Sequence, residues 1–221
     1  MKKVGVISTG GTIAMGARHL FDWVDYGDSG IVNDLDLLLP RFEGLVPDIQ
    51  LIGQSFRTIG SVAIGWSDWV KLLSTAKAMI DDMPELTGIV ITHGTATLEE
   101  TAFFLHLTWE YACPIILVGA QRPIDTHGSD ALSNVRAAIV GACDPALRNL
   151  GVLVAMNSTI FHAPDVTKTA NFSLDAFESP FGPIAQMDQA GQIKFIRRPT
   201  KLYRPNFEPL PEPVRVDIMI S

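Results

Sequence analysis

The chain has 221 residues, 47% of them hydrophobic, which suits one large domain or one domain with a fragment of a second. Seventeen Lys and Arg against 24 Asp and Glu give a net charge of -7, so there is no basic face of the kind that binds nucleic acid. No apolar run is long enough to cross a bilayer or to serve as the core of a signal peptide. The two distant cysteines, Cys113 and Cys143, match neither a zinc nor a redox spacing, so they read as reduced core residues of a cytoplasmic protein.

The first expected strand is Val4 to Ser8, and it runs into Thr9-Gly10-Gly11-Thr12-Ile13-Ala14. Two glycines at a strand end let the backbone turn tightly and approach a ligand, so this loop can cradle a phosphate, present a hydroxyl nucleophile or simply turn. It lacks the Gly-Lys-Ser/Thr of a phosphate loop. Residues 16–34 read as a long loop placed to fold over the end of that strand. Tyr26 within it either reaches a site or sits in solvent. Leu35 to Phe42 is a short helical or turn segment, expected to end near Pro40. Ile49 to Ile52 is a strand, Thr58 to Ala63 a loop, and Asp68 to Ile80 an amphipathic helix capped by Ser67.

The stretch 87–107 is the centre of the pattern. Gly88 to Ile91 is a β-branched run suited to a buried parallel strand, and it ends at Thr92-His93-Gly94. Thr97 followed by Glu100 fits a capping box for the helix that comes next. Thr95 and Ala96 therefore fall between a strand's carboxyl end and a helix's first turn, where open α/β sheets bind ligands. Thr95 can equally be a helix-start residue with no further role. A strand at Pro114 to Val118, a helix at Ser129 to Ala142, a strand at Gly151 to Ala155 and a short one at Thr159 to His162 follow. The alternation predicts an α/β fold: a mostly parallel sheet with helices on both faces. From Arg197 the composition changes, with Pro199, Pro205, Pro209, Pro211 and Pro213 close together. The expected division is a domain over 1–196, a linker over 197–213 and, at 214–221, the first strand of a second domain that is largely absent. A C-terminal strand returning to the first sheet is the other reading. His93, His106, His127 and His162 form no metal-ligand pattern, and no cofactor is expected.

Four segments in this order resemble the bacterial-type L-asparaginases and related amidohydrolases. They are Thr9 to Ala14, Thr92 to Thr95 with Glu99-Glu100-Thr101, Val118 to Pro123, and Asp165 to Thr169. The resemblance implies an N-terminal catalytic domain and a smaller C-terminal domain that completes the site of a neighbouring subunit. The partners it implies are a small amide substrate and either a homo-oligomer or a chain supplying the second domain. By the same resemblance Thr12 is the nucleophile, Tyr26 a lid residue beside it, and Thr95 with Lys168 two members of a Thr-Lys-Asp relay. Ser61 holds the substrate's carboxylate, with Gly11, Val62 and Ala96 also placed at the substrate. A threonine hydroxyl needs such a relay, and a lysine serves if burial lowers its pKa.

Two positions depart from that family. Ala96 stands where it has Asp, and Val62 where it has Gln. Both are implied to contact a substrate's α-ammonium, and a buried ammonium without partners is costly. Three readings follow: an amidase for a carboxamide, imide or lactam without a free α-amino group; an L-asparaginase or glutaminase whose ammonium is held by the absent domain; or a non-catalytic small-molecule-binding relative.

Overall fold

The structure is a computed structural model, and it describes residues 1–200, 210 and 212–214. Five strands form the parallel part of the sheet: β1 (Lys2–Gly10), β2 (Ile49–Ile59), β3 (Leu86–Thr92), β4 (Ile115–Val118) and β5 (Val152–Met156). They lie in the order β5-β4-β3-β1-β2. Their β-branched interiors face apolar layers on both sides. Val4, Val6 and Val90 pack with α1 (Leu35–Phe42) and α4 (Ala131–Ala142). Ile7, Ile89 and Ile91 pack with α2 (Trp66–Asp82) and α3 (Leu98–Thr108) on the other face. This alternation between two covered faces is what a buried parallel strand requires.

The sheet continues with antiparallel strands: β6 (Thr159–His162) on β5, β9 (Ala185–Met187) on β6 and β10 (Ile193–Phe195) on β9. β5 and β6 join through Asn157 and Ser158, both at positive φ, as a two-residue hairpin turn needs. β7 (Thr167–Lys168) and β8 (Phe177–Glu178) form a separate two-stranded ribbon. The sheet is therefore mixed at one end, and none of β7 to β10 was expected as a strand.

Four local expectations need correction. The first helix runs through Pro40 to Phe42, because the Asp34 side chain caps it at Leu37 N and buried Leu38 and Phe42 anchor it on the sheet. β2 extends to Ile59 and absorbs the expected loop at Thr58. As an edge strand it is partly solvated, so polar Gln54, Ser55 and Arg57 are tolerated. α2 starts at Trp66, with the Asp68 carboxylate accepting from Gly65 N at 3.1 Å, so Ser67 is not its cap. Thr97 makes no capping bond, because its hydroxyl donates to the Ser61 carbonyl at 2.7 Å. The proposed strand over 214–221 lies outside the described residues, apart from Val214, and so does most of the proposed linker.

Candidate active site

β1 has β2 on one side and β3 on the other, so the chain reverses its winding direction between β1 and β3. A crevice outside the carboxyl ends of such strands is where open α/β sheets bind ligands. The loop after β1 turns at Gly10 and Gly11, with φ of 110° and 78°. A Cβ at Gly11 would come within 2.4 Å of the Gly94 backbone, so only glycine lets the two loops touch. A Cβ at Gly94 would in turn come within 2.7 Å of Ser61 Oγ. Three loops, after β1, β2 and β3, thus meet through close backbone approach. They bring buried Thr12, Ser61 and Thr95 to one edge of the sheet.

Thr12 Oγ1 lies 2.8 Å from the Tyr26 hydroxyl. Tyr26 opens a short 3-10 turn at Tyr26–Ser29 inside the segment 16–34. That segment is tied down at both ends. Asn33 N donates to the Ala14 carbonyl and Ser29 Oγ to the Gly16 carbonyl, both at 2.6 Å. On the far side Trp23 Nε1 donates to the His127 carbonyl, and the Arg122 guanidinium lies 3.9 Å over the Trp23 ring. Tyr26 is therefore brought to Thr12, as one of its two readings had it.

Thr95 is held differently. Its hydroxyl accepts from Lys168 Nζ at 2.8 Å and donates to Gln121 Oε1 at 3.1 Å. Burial pushes the Lys168 ammonium below its ordinary pKa, against an opposing pull from Glu99. Glu99, in the first turn of α3, accepts from Lys168 N and from Thr167 Oγ1, and so fixes the short strand that carries the lysine. Behind this loop, Trp69 Nε1 donates to Thr101 Oγ1 at 2.8 Å, and Thr101 lies 2.9 Å from His93 Nε2. His93 Nδ1 must carry the hydrogen, because it faces the Gly94 carbonyl at 2.8 Å. Burial holds His93 neutral, with its pKa lowered to about 4. The imidazole thus acts as a neutral brace for Gly94.

Val62 is 80% exposed and Ala96 is also on the surface. Ala96 borders a shallow cleft with Glu99, Lys168, Thr169, Ala170 and Asn171. Among the residues of this network with no role assigned from the sequence are Trp69, His93, Glu99, Thr101 and Gln121. A polar Gln121 directly after apolar Val118-Gly119-Ala120 was the available signal. Among the described residues no three His, Cys, Asp or Glu side chains are grouped to hold a metal, and no helix is long and apolar enough to cross a membrane. Both cysteines are buried free thiols.

Residues 3–201 match the family model described as Asparaginase, N-terminal. The chain is 33% identical over 208 residues to the glutaminase-asparaginase of Pseudomonas aeruginosa, covering 94% of this chain and 56% of the relative. It is 35% identical over 209 residues to L-asparaginase 2 of Escherichia coli, covering 91% of this chain and 56% of the relative. A crystal structure of a probable cytoplasmic L-asparaginase from Campylobacter jejuni superposes with a TM-score of 0.84 at 30% identity, over 95% of this chain and 64% of the other. The chain spans little more than half the length of these two curated relatives. With its winding reversal between β1 and β3 and its loops meeting at Gly11 and Gly94, the chain belongs to the asparaginase family, and the part it matches is the N-terminal domain.

Proposed function

We propose that this chain is the catalytic α/β part of an amidohydrolase that uses Thr12 as its nucleophile. The observation that carries the reading is the bond from half-buried Lys168 to Thr95, on the loop that packs against the Gly11 turn presenting Thr12. Thr12 Oγ attacks the amide carbonyl carbon, and its proton is taken up by the Thr95–Lys168 relay and returned to the departing nitrogen. The C–N bond breaks and an acyl ester remains on Thr12, while the nitrogen leaves as ammonia from a carboxamide or stays tethered as an amine or amide when a lactam or imide ring opens. Water then adds to the ester, restores the hydroxyl and releases the acid. Backbone N–H groups around Thr12 and Ala96 are suited to stabilising the oxyanion.

The substrate we infer is a neutral carboxamide, imide or lactam without an α-ammonium. Ala96 and Val62 offer no partner for such a charge, and the Glu99 carboxylate one turn away is already engaged by Lys168 N and Thr167. A second reading, hydrolysis of L-asparagine or L-glutamine, is favoured by the exposure of Val62 and Ala96, because a covering domain or subunit can supply the missing partner there. The same exposure supports assembly with a second copy or with a chain bearing the C-terminal domain. The division at residues 196 and 213 and a cytoplasmic location are further proposals. The first rests on the proline-rich composition, the second on the two free thiols.

The test is ammonia release by the native protein from L-asparagine, L-glutamine and carboxamides lacking an α-amino group, with ring opening of a cyclic imide and a lactam followed beside it and a Thr12→Ala control. Release from the neutral amides, lost in the control, is the expected result. Release from asparagine alone overturns the substrate proposal, and silence throughout overturns the enzymatic one. Ala96→Asp combined with Val62→Gln is expected to raise asparagine hydrolysis and lower turnover of the neutral amide.

A further inference from the structure

The Gln121 carboxamide has one acceptor and one two-hydrogen donor, and their orientation is determined by what surrounds them. Nε2 lies 3.0 Å from the Ser173 carbonyl, 3.2 Å from that of Asn171 and 3.4 Å from that of Ala170. Carbonyls only accept, so the NH2 group faces them and Oε1 must face Thr95. The backbone of Gln121 is fixed as well, because its N–H and that of Arg122 both donate to Asp130, which sits at the start of α4. Thr95 has a single hydrogen. If Oε1 takes it, only lone pairs remain for Lys168.

We propose that Gln121 is a positioning residue that sets the direction of the Thr95–Lys168 hydrogen bond, drawing the Thr95 hydrogen to itself so that Lys168 is the donor in the resting site. This rests on the reading of Thr95 and Lys168 as a proton relay. The consequence is chemical. For neutral Lys168 to receive a proton from Thr95, the hydroxyl must turn away from Gln121. Gln121 therefore biases the lysine toward its charged form and holds the relay in reserve until something in the site competes for the Thr95 hydrogen.

The charged group facing Lys168 is Glu99, from α3. From the loop after β4 comes neutral Gln121, with Asp130 behind it on the backbone amides. Thr169 and Asn171, on the lysine's own segment, are neutral. Replacing Gln121 by Met removes the acceptor and leaves Thr95 free to donate to the neutral amine, which stabilises that form. The lysine pKa is then expected to fall by about one unit, the worth of one ordinary hydrogen bond. Simple loosening of the loop would rehydrate the ammonium and move the pKa upward.

The experiment titrates the Lys168 side chain by carbon-13 NMR in native protein and in Gln121→Met, the signal being assigned by its loss in Lys168→Met. A fall of about one unit in Gln121→Met that disappears in a Thr95→Val background supports the proposal. No change, a rise, or a fall that persists without the Thr95 hydroxyl overturns it. Should Gln121→Met fail to fold, neutron diffraction of the native protein decides. A Thr95 deuterium on the line to Gln121 Oε1 supports the proposal, and one pointing to Lys168 overturns it. Neither measurement needs turnover, so a native protein that turns over no amide, imide or lactam would remove the amidohydrolase reading and leave this one standing or falling by itself.

Discussion

Thr12 and Thr95 stand at the ends of neighbouring strands, yet their surroundings are unlike. Thr95 has two side-chain partners, Lys168 and Gln121, and its loop is braced through Gly94 by His93, Thr101 and Trp69. Among the described residues Thr12 has one side-chain hydrogen bond, to Tyr26, on a segment where Leu20, Phe21, Val24, Ile31 and Val32 are all at least half exposed. The side of the proposed relay is built from strand ends and a helix start that are anchored in the two cores. The side of the proposed nucleophile depends on a loop that buries little of its own. Preorganised groups at rigid element ends hold their geometry better than groups carried on loops. In the proposed machinery, Thr95 and Lys168 are then the stable part and Tyr26 the adjustable part.

Breaking the relay side is expected to cost most. Lys168→Met is expected to lower turnover by about two to four orders of magnitude, as loss of a proton-transfer group does. If neutral Lys168 is the base, native turnover falls as pH drops through its depressed pKa. That acid limb is expected to vanish from the residual rate of the variant. Rates measured across pH on the best amide of the panel check this. A loss of less than threefold would move the relay elsewhere.

His93 comes next and is read in stability. Its folded pKa of about 4 lies below the unfolded value near 6.5, so the unfolded chain binds more protons between those pH values. Stability is therefore fully present above about pH 6.5, declines as pH falls, and has lost about 3 kcal/mol of this contribution near pH 4. His93→Gln is expected to be less stable at neutral pH and to lose that portion of the pH dependence. Urea unfolding at a series of pH values measures both. The same acid dependence in native and variant protein would remove His93 as the brace.

Tyr26→Phe tests the adjustable side and is expected to give the smallest effect. It removes one hydrogen bond to Thr12, about 1 kcal/mol or less than tenfold in rate, with stability nearly unchanged. Turnover and thermal unfolding of the variant check both halves. A loss as large as that of Lys168→Met would mean that Tyr26 moves the proton itself and would erase the contrast between the two sides.

Much of this site could be placed before the fold was known, because its residues sit where local pattern is strong. Thr12 follows a strand and two glycines, and Thr95 follows a β-branched run. The structure puts both at strand ends. The capping box at Thr97 misled, since Ser61, far away in sequence, offers a carbonyl to the same hydroxyl. Pro40 misled because burial of Phe42 outweighs one missing backbone bond. The strands β7 to β10 have two or three residues each and mixed polarity, so no period emerges from them.

The sequence by itself determined the buried parallel strands, the four principal helices and the loops that bear the threonines. These depend on side-chain periodicity and on glycine's access to positive φ, which are properties of a few neighbouring residues. The resemblance implied Tyr26 beside Thr12 and Lys168 with Thr95, but only the tertiary structure decided how those groups come within hydrogen-bond distance and that Gln121 is a further partner of Thr95. Lys168, Gln121 and Tyr26 reach Thr95 and Thr12 across long separations in the chain. The direction of each hydrogen bond depends on which acceptors its neighbours have already satisfied.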